Sequence, residues 1–82
     1  MYFVYIIFSP SRNKFYVGSS SDPEGRLQKH NTNHVGFTGK TGDWEMKFRE
    51  DFVDKDHALK REKQIKGWKS RLMIEKLIAS QS

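Results

Sequence analysis

The chain has no cysteine among its 82 residues. That excludes disulfides and thiolate metal sites, and it fits a protein of the reducing cytoplasm. The three histidines, His30, His34 and His57, are scattered and make no zinc signature; His34 and His57 read as surface or capping residues. A long apolar run is also missing. Residues 1–8 are apolar but lead straight into Ser9, Pro10, Ser11 and Arg12, well short of the roughly 20 residues of a membrane span. They show neither a basic leader nor a small-residue cleavage site, so no signal peptide is expected. The length leaves no room for a second core. One domain is expected over residues 2–78, with residues 79–82 as a fraying tail, and any site must be a shallow groove. No repeat, low-complexity segment or linker interrupts it.

Acidic residues are scarce only in one region. The net charge is +5, from 15 basic and 10 acidic residues. Residues 1–54 are neutral, with seven of each sign, and residues 55–76 carry eight basic against three acidic. A polyanion such as DNA, or equally RNA, suits this segment, and Lys60, Arg61, Lys63, Lys66, Lys69 and Arg71 are the candidate contacts. The plain alternative is a solvated helical face.

What is present reads as six elements. Residues 2–9 are β-branched and aromatic, a central strand covered on both faces. A turn cluster at residues 10–13 precedes Phe15, Tyr16 and Val17, so a hairpin ending at Gly18 is expected. Asp22 is a good N-cap and Pro23 suits the first helical position, which predicts a helix over residues 22–31. Gly25 inside that helix costs about 1 kcal/mol relative to Ala. The glycine-containing stretch beyond Asn31 reads as a functional loop. Trp44, Met46 and Phe48 then alternate with Glu45, Lys47 and Arg49, predicting a third strand with those three apolar residues on one face. A second helix is expected over roughly residues 56–66, capped near Asp54 and stopped by Gly67. Ser70 caps a third, which turns Leu72, Met73, Leu77 and Ile78 inward. The order ββαβαα predicts an α+β domain, a small three-stranded antiparallel sheet flanked by helices.

Glu62 stands out because Ala58, Leu59 and Ile65 place it inside an apolar stripe. A carboxylate there must be paired, metal-bound or at the edge of a groove. Lys66, four residues on, offers an ion pair; the functional alternative is a hard oxygen ligand for Mg²⁺, which takes only one or two protein carboxylates. Arg26 and His30 share one helix face. Either both point to solvent, or the guanidinium grips a phosphate and the imidazole relays protons. Tyr5 and Tyr16 are either core residues with their hydroxyls at an edge, or phenols that act on water.

Together these residues resemble the GIY-YIG nucleases, over about residues 2–78. Phe3, Val4 and Tyr5 occupy the first triplet, and Tyr16, Val17 and Gly18 the second. Arg26 and His30 fall on the following helix, and Glu62 on a later one. The run from Ala58 to Arg71 looks like that of the small, single-domain members. The resemblance implies a GIY-YIG endonuclease-like fold and hydrolysis of a DNA phosphodiester with one Mg²⁺ or Mn²⁺ ion. Glu62 would hold the metal and Arg26 would stabilise the phosphate. Tyr5, Tyr16 and His30 would orient or deprotonate water, and Gly18 would let backbone approach closely. Val4 and Val17 would complete the structural motif. With no appended DNA-binding domain, low or structure-based specificity and a monomer or weak dimer are expected. Two rivals stand beside this reading: a non-catalytic nucleic-acid-binding module on the same scaffold, and a basic domain that meets an acidic protein.

Overall fold

The middle strand, β1 (Tyr2–Ser9), organises the molecule. In the computed structural model, which describes residues 1–32 and 42–81, it pairs antiparallel with β2 (Lys14–Ser20) on one side and β3 (Glu45–Phe52) on the other. Val4, Ile6 and Ile7 are 0% exposed, as a strand covered on both faces requires. α1 (Pro23–Asn31), α2 (Lys55–Trp68) and α3 (Arg71–Ala79) complete the ββαβαα order.

Alternation along β1 makes two cores. Val4 and Ile6 pack with Val17, Phe48, Ala58 and Ile65 on the side of α2. Tyr5 and Ile7 pack with Trp44, Tyr16, Leu27 and Met46 on the side of α1. The pattern departs from strict alternation on β3. Ile6 faces Phe48 but Ile7 faces Met46, so Lys47 is the extra residue of a bulge. Met46 therefore joins the α1 core and Phe48 the α2 core, and the single apolar face expected for Trp44, Met46 and Phe48 is split. A one-residue slip reverses every later side chain.

The helix caps follow the sequence, but some boundaries move. Asp22 caps α1 by accepting from the Gly25 amide at 3.1 Å, and Pro23 is the first helical residue. Gly25 thus sits in the first turn, not the interior. A Cβ there would collide with the Asp22 carboxylate, so the glycine admits the cap. Asp54 and Ser70 cap α2 and α3. Gly67 is not the end of α2. The helix continues to Trp68, which packs on the core, and Lys69 takes the left-handed cap with φ 50°. In α3, Ile74, Leu77 and Ile78 face inward, one stripe at i, i+3 and i+4, while Leu72 and Met73 are 61% and 41% exposed. The tail is held as far as Gln81, whose side chain donates to the Arg49 carbonyl at 2.6 Å. Most of the loop after Asn31, with His34, and Ser82 lie outside the described residues. At the loop's two ends, the Asn31 side chain accepts from the Trp44 amide at 2.7 Å and donates to its carbonyl at 3.0 Å.

Candidate active site at the edge of β2

Tyr5 and Gly18 face each other across the hairpin. A Cβ on Gly18 would lie 2.7 Å from the Tyr5 hydroxyl oxygen and 2.8 Å from Cζ. The missing side chain is therefore the space that the Tyr5 ring occupies. The ring is 2% exposed, and its hydroxyl lies 3.2 Å from His30 Nε2. Tyr16 stacks at a tilt on His30, with centroids 4.8 Å apart, and Trp44 closes the cluster 6.5 Å from Tyr16 and 6.4 Å from His30. Three of the five residues expected to carry chemistry are thus in contact.

Burial, and next the neighbouring Tyr16, push the Tyr5 phenol up to about 12; the Arg26 guanidinium opposes this and the Glu62 carboxylate adds to it. The phenol is protonated at neutral pH and shares a hydrogen bond with His30 Nε2. Arg26 is exposed one helical turn before His30, and with Lys29, His30 and Thr32 it lines a shallow pocket of about 320 Å³.

Glu62 approaches from the other side of the same edge. Its side chain is 16% exposed. One oxygen accepts from Ser19 Oγ at 2.5 Å and the other from Lys66 Nζ at 2.6 Å. The ion pair that the i,i+4 spacing allows is formed, and it sits on the rim of a groove. Lys66 Nζ also lies 6.0 Å from the Tyr16 ring centre, so this ammonium bridges the carboxylate and the aromatic cluster. Ala58 and Ile65 are buried beside Glu62 as the stripe requires, whereas Leu59 is 38% exposed. Sequence reasoning did not pick out Ser19. Its one signal was position: it directly follows Gly18 on a strand whose alternate residues face α2.

The remaining candidates divide by role. Val4 and Val17 are core residues. Lys60, Lys63 and Lys69 are exposed. Arg61 binds Glu50 at 2.9 Å, donates to Gln64 at 2.6 Å and lies over Trp68, which ties α2 to β3. Arg71 binds Glu75, and donates to the Asn13 carbonyl at 3.1 Å and side chain at 2.8 Å, which ties α3 to the β1–β2 turn. His57 pairs with its helix cap Asp54 at 2.7 Å.

No cluster of three or more His, Asp or Glu able to hold a metal occurs among the described residues. What Glu62 offers is a single hard oxygen ligand, held by the Ser19 hydroxyl and the half-exposed Lys66. That donor set fits an ion such as Mg²⁺, which keeps most of its own waters. No helix among the described residues is long and apolar enough to cross a membrane.

A small antiparallel sheet that gathers two tyrosines, a histidine, an arginine and a glutamate around one strand edge has the framework of a nuclease domain. The family model of the GIY-YIG catalytic domain matches residues 1–76, and the chain belongs to this family. GIY-YIG nucleases are endonuclease hydrolases acting on nucleic acid and generally depend on a divalent metal. No curated protein and no solved structure matches the chain significantly.

Proposed function

We propose that the protein is a divalent-metal-dependent endonuclease that hydrolyses DNA phosphodiester bonds with structure-selective or weak sequence specificity. The observation that carries this reading is the Tyr5 phenol. It bonds to His30, and its ionisation responds to both Arg26 and Glu62, so all four belong to one electrostatic neighbourhood. A carboxylate at this edge would repel a phosphate in a domain that only bound nucleic acid, whereas it suits one that holds a divalent metal.

Each residue then has a role. Arg26, exposed beside His30, grips the scissile phosphate with its planar fork and offsets the charge that develops there. Glu62 would hold one Mg²⁺ or Mn²⁺, which supplies Lewis-acid polarisation of a phosphate oxygen when bound. Lys66 holds the Glu62 carboxylate until then. Tyr5 does not ionise on its own near neutral pH. It acts as a relay: its oxygen takes a proton from the attacking water as its own proton passes to His30 Nε2, leaving an imidazolium and a hydroxide nucleophile. Tyr16 fixes the His30 ring by stacking. The hydroxide forms the new P–O bond as the P–O3′ bond breaks, leaving a 5′-phosphate, and the departing O3′ takes a proton from solvent water to become the 3′-hydroxyl, while the His30 imidazolium returns its proton to solvent.

Single-turnover cleavage of branched and linear DNA with Mg²⁺ and with Mn²⁺ tests this. Glu62→Gln and Arg26→Ala should each remove cleavage while circular dichroism stays unchanged. Tyr5→Phe and His30→Ala should each lower the rate by about 10²–10⁴-fold, and the double variant should lose no more than the worse single one. Wild-type activity in Glu62→Gln would overturn the nuclease assignment. Additive losses in the double variant would overturn the relay.

A further inference from the structure

Two shallow hollows lie end to end along the outer edge of β2, against the α2–α3 junction. One, of about 340 Å³, runs between Phe15, Val17, Ile65 and Ile74 and begins at Tyr16 and Lys66, beside the site. The other, of about 300 Å³, continues past Lys14 and Arg71. Phe15, Lys69 and Ile74 line both, so they form one groove leading away from the site. Its floor is aromatic and aliphatic, with the Arg71 guanidinium 5.2 Å over the Phe15 ring and Phe8 against it. Its rim carries Lys14, Lys66, Lys69 and Arg71, of which Lys66 is paired with Glu62 and Arg71 with Glu75.

Lys69 provides a second observation. Its backbone is left-handed, with φ 50° and ψ 36°, where a helix end favours Gly or Asn because a Cβ crowds the backbone. A lysine held in that conformation, with its side chain along both hollows, is chosen against local preference, as residues at binding sites often are.

We infer that this groove receives an unpaired nucleotide adjoining the scissile phosphate, its base against Phe15 and Ile74 and its flanking phosphates on Lys69 and Lys14. The inference rests on the nucleic-acid substrate proposed above. A duplex turns phosphates and sugars outward and hides its base faces by stacking, so it has nothing to bury on an apolar floor. An unpaired base offers both faces, and stacking is indifferent to its identity. The rim argues against a second copy of this chain, which carries the same net charge of +5 and would bring the same cations against it.

Fluorescence anisotropy in EDTA tests the groove with three labelled probes: a duplex with a ten-nucleotide single-stranded extension, the same duplex with abasic sites in the extension's first two positions, and a blunt duplex. The wild type should bind the intact extension about 5–100-fold more tightly than the abasic one, the worth of one stacked base. Lys69→Gly should weaken binding of the extended probe and lower the salt slope by about one, while its Tm equals or exceeds that of the wild type. Equal affinity for intact and abasic probes would overturn the inference, as would Lys69→Gly binding like wild type. A dimer in sedimentation velocity that Lys69→Glu dissociates would assign the groove to a second copy and overturn it too. Cleavage is scored separately with Mg²⁺. Cleavage without preference for an extension removes the groove and leaves the nuclease; extension-dependent binding without cleavage does the reverse.

Discussion

Gly18→Ala is the sharpest perturbation the site offers. Its added Cβ would sit 2.7 Å from the Tyr5 hydroxyl oxygen, 2.8 Å from Cζ and 3.2 Å from Tyr16 Cε2. Comfortable separation is about 3.5–4.0 Å, so the Tyr5 ring must give way by roughly 1 Å. It has little room to do so, being 2% exposed, held at its hydroxyl by His30 and flanked by Tyr16. Overpacking of this kind costs about 1–3 kcal/mol. Loss of glycine's freedom in the unfolded chain offsets about 0.4–1 kcal/mol of that. The expected net loss is about 1–2 kcal/mol, or roughly 5–15 °C in Tm for a domain of this size. Urea unfolding and calorimetry read it directly. Tyr5→Leu removes the colliding atoms, so combining it with Gly18→Ala should recover at least about 0.5 kcal/mol relative to additivity. Gly18→Ala unfolding at the wild-type midpoint, or strict additivity with Tyr5→Leu, would show that the ring does not fill the glycine's place.

Three further outcomes follow from other contacts. The unfolded chain loses the Tyr5 proton near 10 and the folded protein only near 12. The stabilisation is therefore whole below pH 10 and lost as pH climbs to 12, and unfolding across that window should show the wild type losing roughly 2–3 kcal/mol that Tyr5→Phe does not lose. Lys66→Met removes the ion pair on Glu62, so Mn²⁺ binding followed by electron paramagnetic resonance should tighten about 2–5-fold, by the worth of a part-exposed pair; weaker or unchanged binding would mean that Lys66 does not compete for that carboxylate. Asn31→Ala deletes both side-chain bonds to the Trp44 backbone, and denaturant midpoints should register a loss of about 1–3 kcal/mol, whereas Asn31→Asp, which keeps the acceptor, should lose less.

Local chemistry made much of the molecule legible. Asp22, Asp54 and Ser70 cap the helices expected of them, because a short polar side chain before a helix has few better uses. The continuous apolar run of β1 marked the central strand, and Phe15 to Gly18 its hairpin partner. The resemblance to the family rested on Tyr5, Tyr16, Gly18, Arg26, His30 and Glu62, all set along the chain, and the family model over residues 1–76 bears it out.

What lay beyond the sequence depends on neighbours distant in it. The Lys47 bulge divides Met46 from Phe48 because register against β1, not alternation, decides their faces. Gly67 stays helical, and Trp68 just beyond it packs on the core. Ser19 and Glu62 stand 43 residues apart in sequence, and neither one's spacing names the other. Arg61 and Arg71 read as a basic surface, yet Glu50 and Asn13 hold them as struts. Sequence alone thus determined the elements, their N-caps and the inventory of reactive groups, which depend on near neighbours. Tertiary structure alone decided which of those groups meet: packing brings Tyr5 against Gly18 and His30, and sets Glu62 between Ser19 and Lys66 at the edge of β2.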